Sequence, residues 1–158
     1  MKHHVIISIA ALMTLSACGS KGTSGSEGQT PVDLAVTTDS MENMVFPLPQ
    51  IPSTISKPED QIGFIVIHFW DNFDFSDKEK SLNLTFMERN FVDYLTLIPA
   101  AMTEDRRMAF SELIKRASVY PETRSLIIGF GEKYLNDPDS PMKNAEYYAD
   151  FAEAAKGS

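Results

Sequence analysis

One cysteine in 158 residues, Cys18, limits how this chain can hold itself together. It allows no intrachain disulfide, no Cys-x-x-Cys redox pair and no thiolate metal cluster. Any folded body must therefore rest on apolar burial. At 43% hydrophobic and 23% charged residues the composition is that of an ordinary globular domain, so a packed core is within reach. The length suits one domain with some chain left over. Acidic side chains outnumber basic ones, 22 to 14. A surface of that sign repels phosphate backbones, which argues against nucleic acid as a partner.

Residues 1–17 read as an export signal. Lys2, His3 and His4 precede an apolar run from Val5 to Leu15, interrupted only by Ser8 and Thr14. A helix crossing a bilayer needs roughly 20 apolar residues, so this run suits a cleaved signal and not a permanent span. It closes on Leu15-Ser16-Ala17-Cys18, which matches the lipobox of bacterial lipoproteins. Small residues admit the chain to the peptidase, and the sulfur of Cys18 is the nucleophile that accepts diacylglycerol. The expectation is cleavage before Cys18 and anchoring through its acyl chains, at about 0.8 kcal/mol per buried CH₂. Gly19 follows in place of Asp, and Ser20-Lys21-Gly22-Thr23 carries no acidic cluster. The expected position is an outer membrane, facing the periplasm.

Residues 18–46 are rich in Gly, Ser and Thr and have no sustained apolar period. They read as a disordered tether with a reach on the order of 30 Å. A helical domain is expected over 47–156. Pro47, Pro49 and Pro52 impose extended backbone, and Phe46, Leu48 and Ile51 would let this stretch dock as a strap. Ser56 with Glu59 fits a capping box, and Pro58 suits a first helical turn. The following Ile62–Trp70 run is ambiguous by period between helix and buried strand. Leu84, Met87, Phe91, Tyr94, Leu95 and Ile98 recur at helical spacing up to Pro99. Thr103 with Glu104 and Asp105 starts another helix, striped by Phe110, Leu113, Ile114 and Ala117. Pro121-Glu122 opens a further one, carrying Ile127, Phe130 and Tyr134. Asn136 through Pro141 is a turn, and Asn144 caps a last helix bearing Tyr147, Tyr148, Phe151 and Ala155. The sum is an all-α fold of about five packed helices.

The stretch from His68 to Asp77 invites a chemical reading. Asp71, Asp74 and Asp77 are spaced by three, but calcium loops alternate ligands at every second position, need a turn glycine and end in a bidentate Glu. The better reading has Asp71, Asn72 and Asp74 bonding backbone where a helix ends, with Trp70, Phe73 and Phe75 in the core. His68, Trp70, Asp71 and Asp74 remain the candidate ligand or partner surface. His68 is the one histidine beyond the signal, so zinc would need carboxylate help. No Gly-x-Ser-x-Gly elbow accompanies it in the helical region. No catalytic residue, metal site or cofactor is expected. Gly129-Phe130-Gly131 suggests close helix packing, while Glu88-Arg89 and Glu112 with Lys115-Arg116 read as solvated faces.

Several blocks together resemble a domain-of-unknown-function family common in Bacteroides-type lipoproteins. They are Ile51-Pro52 with Pro58-Glu59, His68 through Asp77, Phe91-Val92-Asp93-Tyr94, and Tyr134 through Asn144 leading to Tyr147-Tyr148. The resemblance spans roughly residues 49–150 and favours a helix for Ile62–Trp70. It implies an order of lipid anchor, tether, helical module and thioredoxin-like domain. This sequence reaches Ser158 with no such domain and no redox cysteines. The leading expectation is a non-enzymatic, membrane-tethered module that binds a protein or peptide, for instance a thioredoxin-like or other envelope protein. The alternative is the front part of a truncated thiol-disulfide oxidoreductase. A third reading, a small-molecule pocket near Trp70 and His68, ranks below both.

Overall fold

The computed structural model describes residues 44–157. Leu15, Ser16, Ala17, the lipidation residue Cys18 and all but the end of the tether lie outside the described residues.

The described residues are helical, without strands. Five long helices and one short one follow in order: α1 (Pro58–His68), α2 (Lys78–Ser81), α3 (Leu84–Leu97), α4 (Thr103–Ala117), α5 (Pro121–Gly131) and α6 (Ala145–Lys156). A 3-10 turn over Ile98–Ala100 ends α3, and a π-helical turn over Glu132–Asn136 continues α5.

The ambiguous run beginning at Ile62 is helical as far as His68. Pro58 presets its first turn, and Glu59 and Asp60 complement the positive end of the helix dipole. The Ser56–Glu59 capping box does not form. Pro58 places the cap at Lys57, one residue too late for Ser56, and no side chain bonds there. The short α2 was not foreseen. It exists because Asp77 accepts from the amides of Glu79 and Lys80, and Asn83 caps α3 immediately afterwards through the Phe86 amide. Asn144 caps α6 as its sequence suggested, accepting from Glu146 and Tyr147.

Helix α4 is the spine, with its broadest contacts to α1 and α6. Around it Phe91, Tyr94, Phe110, Ile114, Ile127 and Phe151 are fully buried. Phe151 meets Phe110 edge-on, with centroids 5.4 Å apart. The close approach of α5 to α6 requires Gly131, since a Cβ there would stand 2.1 Å from the Phe151 ring. Its partner in the sequence pair, Gly129, faces open space.

A second aromatic cluster closes the α1 end. Trp70, Phe73 and Phe75 are buried, as their pattern suggested. Phe46 packs among Phe69, Trp70, Phe73 and Phe86, with centroids 5.0 to 6.3 Å away. Such pairs each contribute about 0.5–1.5 kcal/mol beyond area burial. Of the three expected strap anchors only Phe46 docks, while Leu48 and Ile51 stay 58% and 37% exposed. Phe46 is the last residue assigned to the tether, so the packed body already includes residues on the tether side of that boundary.

Candidate functional site

Helix α1 ends on His68, and the turn after it brings Asp71 under the imidazole. His68 Nδ1 lies 2.7 Å from Asp71 Oδ2. The other carboxylate oxygen, Oδ1, accepts from the Arg116 guanidinium at 2.7 Å. Phe64, one turn before His68, holds its ring 4.4 Å from the imidazole. These three polar side chains are each about a third exposed. Asp71 was expected to bond backbone. Instead its carboxylate bridges two side chains, while the Asp71 amide closes the turn onto the His68 carbonyl.

The four candidate residues do not form one site. Trp70, next to His68 in sequence, turns into the core at 2% exposure and packs edge-on against Phe73. Asp74 lies in the exposed turn beyond and accepts from both the amide and the hydroxyl of Ser76, at 2.9 and 2.6 Å. Those two bonds, the hydroxyl's first, hold its carboxyl below the ordinary range. Asn72 reaches the Leu48 carbonyl at 3.4 Å, and Asp77 caps α2 and pairs with Lys80. The three evenly spaced aspartates therefore serve three separate local purposes. Among the described residues no group of three or more His, Cys, Asp or Glu is placed to hold a metal.

Chemically, a carboxylate on one imidazole nitrogen fixes the tautomer and orientation of the ring. The same carboxylate, satisfied on both oxygens, ties α1 to α4. Among the described residues the histidine's hydrogen bond is to Asp71, and no hydroxyl is placed against the ring as a nucleophile.

Other polar contacts went unread in the sequence. Sequence context suggests solvated surface for Arg116 and Glu88. Arg116 instead reaches across to Asp71, and Glu88 accepts from Lys133 and, at 2.8 Å, from the Tyr134 hydroxyl. Lys133 and then Tyr134 hold the Glu88 carboxyl below its usual range. Arg106 is the larger omission. It is 4% exposed and binds Asp150 and Glu146 on α6 at 2.6 to 2.8 Å. A signal for it existed: Arg106 precedes Ala109, Phe110, Leu113 and Ala117 by three, four, seven and eleven, which is the apolar face of α4.

None of the described helices is long and apolar enough to cross a membrane. The fold is similar to the crystal structure of a thioredoxin-like protein from Bacteroides caccae, with a TM-score of 0.66 and 33% sequence identity. The likeness covers 73% of this chain and 42% of that one, so the chain spans less than half of its solved neighbour. No curated protein matches significantly. A family model does match, over residues 17–158. With nearly the whole chain accounted for by that match, the protein belongs to DUF5106, a domain of unknown function.

Proposed function

We propose that this protein is a lipid-anchored envelope protein whose helical body is a non-catalytic module, binding a protein or peptide of the thiol-redox or folding systems. The observation that carries the reading is the 33% identity to a protein described as thioredoxin-like. A thioredoxin-like redox centre needs strands alternating with helices and a Cys-x-x-Cys pair. The described residues here are helical, and the 158 residues hold one cysteine. The likeness therefore supports a module that accompanies such chemistry. The anchor rests on Leu15-Ser16-Ala17-Cys18, with an outer membrane facing the periplasm as the proposed site.

Two measurements test this. Cys18→Ala is expected to abolish palmitate labelling and release the protein from the membrane fraction; unchanged labelling removes the anchor. Affinity capture from envelope extracts with the full lipidated chain is expected to return a thioredoxin-like or folding-associated protein. Repeated capture of nothing specific removes the binding role.

A second reading is favoured by the 42% coverage of the solved neighbour. In it the helical module is the front portion of a longer thioredoxin-like chain. Sequencing the DNA beyond codon 158 decides: an in-frame or frameshifted thioredoxin-like segment supports this reading, and unrelated sequence removes it.

A further inference from the structure

A groove of about 660 Å³ runs between the strap that carries Phe46 and helices α1 and α3. Met44, Val45 and Phe46 line it from the strap and Ile65 from α1. Arg89, Asn90, Asp93 and Leu97 line it from α3. Val45 is 80% exposed and Leu48, also on the groove, 58%, so apolar surface here is uncovered. Asn90 is 5% exposed and donates from Nδ2 to the Phe86 carbonyl at 2.7 Å. Its own side-chain oxygen has no partner among the described residues. That oxygen is not sealed in, since the enclosed unpaired side-chain atoms belong to Trp70, Ser81, Tyr94 and Arg116. Arg89 is exposed at the rim and forms no ion pair among the described residues.

We propose that this groove is filled by the chain's own tether, with Val32-Asp33-Leu34-Ala35-Val36 laid along α3 as an extended segment. The described residues begin at Met44, which itself lines the groove, so the preceding chain leaves from the groove's edge. Seven residues, Thr37 to Asn43, separate Val36 from Met44, and the Thr, Asp, Ser and Asn among them suit a reversal of direction. So short a tie gives the segment an effective concentration on the order of millimolar, well above that of a free peptide. The lengths agree as well. Arg89 to Leu97 spans about 12 Å at 1.5 Å per helical residue, and five extended residues span about 13 Å at roughly 3.3 Å each. Val32, Leu34 and Val36 alternate, so one extended face presents all three to Val45, Ile65 and Leu97. No other stretch of residues 19–43 places three apolar side chains on one such face. Asp33 points outward, where its carboxylate meets Arg89 on the rim, and a main-chain N–H donates to the open Asn90 oxygen. The docked tether occupies the surface that an extended segment of another protein would use. The inference needs neither the lipid anchor nor the partner proposed above.

The test compares the isotope-labelled full chain with its Leu34→Asp variant, a substitution outside the helical body. In the parent, the Leu34 methyl groups should show nuclear Overhauser contacts to those of Ile65 and Leu97. Mixing labelled with unlabelled chains should show these contacts to be intramolecular. Leu34→Asp should erase them and move the backbone amides of Phe46, Asn90 and Leu97, leaving that of Ser125 on α5 in place. A capped peptide spanning Pro31 to Thr37 should then bind the variant and return those amides toward their parent positions. The same peptide should bind the parent about tenfold more weakly, the ratio expected where about nine-tenths of the grooves are already filled. Absent contacts, or groove amides unmoved by Leu34→Asp, overturn the proposal. Intermolecular contacts also overturn it and give the groove to a second copy. Equal peptide affinity for the two chains overturns it too, and leaves the groove open to a segment of another protein.

Discussion

Of the three arginines on helix α4, Arg106 and Arg116 draw different neighbouring elements to it, and their surroundings differ. Arg106 is 5% exposed along its side chain and meets Asp150, itself 10% exposed. Arg107 binds the second Asp150 oxygen at 2.9 Å, and the Tyr147 ring lies 4.6 Å from the Arg106 guanidinium. Arg116 binds Asp71 at the same kind of distance, 2.7 Å, yet both side chains are about a third exposed. Equal bond lengths do not mean equal weight. Water screens the Arg116 pair, and exposed pairs typically contribute about 0.2–1 kcal/mol. At Arg106 little water reaches the pair, so removing Asp150 leaves a buried cation with only the exposed Glu146 as partner, at a cost near the low end of roughly 3–5 kcal/mol. The α4–α6 seam is therefore locked electrostatically, whereas the α1–α4 seam relies on apolar packing and uses its charges to aim His68.

The largest expected effect is that of Asp150→Ala, which should lower stability by about 3 kcal/mol in urea unfolding. A loss below about 1 kcal/mol would erase the distinction between the two seams. Acid should separate them next. Burial pushes the Asp150 carboxyl upward, but the hydrogen bonds from Arg106 and Arg107 outweigh it and hold the group below its ordinary value. A depressed folded-state pKa means stability that is fully present above the unfolded value and lost as the pH falls through the folded one. Parent stability should therefore decline below about pH 4, and Asp150→Asn should flatten that part of the decline. An identical acid slope in the variant breaks the argument.

A double replacement sharpens the comparison further. Arg106→Met with Asp150→Leu should recover part of the loss, since apolar residues of similar volume fill a buried ionic site without a desolvation cost. A double variant less stable than Asp150→Ala alone would show that the seam needs its charges for packing. The smallest effect belongs to Arg116→Ala, expected to cost no more than about 1 kcal/mol. Between about 0.1 and 1 M salt the Debye length falls from roughly 10 to 3 Å, so that small contribution should fade while the Asp150→Ala deficit persists.

The same contrast explains what could be read from the amino acids beforehand. Helices α3 through α6 were legible because apolar residues recur at helical spacing and because Pro99, Pro121 and Asn144 punctuate the chain. A period of 3.6 is a local property. Helix α1 was harder, since Ile62–Trp70 is apolar on every side and carries no period. Its packing against α4 covers one face, at Gly63 and Val66, and leaves the other apolar residues half-buried. Helix α2 escaped notice because four residues show no period, and its Asp77 cap looked like one more member of an acidic series. The candidate surface was only partly legible: its residues stood out by type, but the sequence reading had Asp71 bonding backbone and not the His68 ring. Nothing local could tell that Trp70 turns inward while Asp74 stays out, or that the third member is Arg116, on another helix.

From the amino acids alone come the all-α class, the helix boundaries set by proline and asparagine, and the absence of any cysteine pair in these 158 residues. Each depends on interactions within a few residues or on simple composition. Only the tertiary structure decided that Arg106 is buried and Arg116 about a third exposed, that Phe46 joins the core, and that the Ser81 hydroxyl is buried without a hydrogen-bond partner. Those outcomes hinge on groups tens of residues apart in the chain. Burial is a property of how the helices meet, and one helix's period says which face is apolar but not what will cover it.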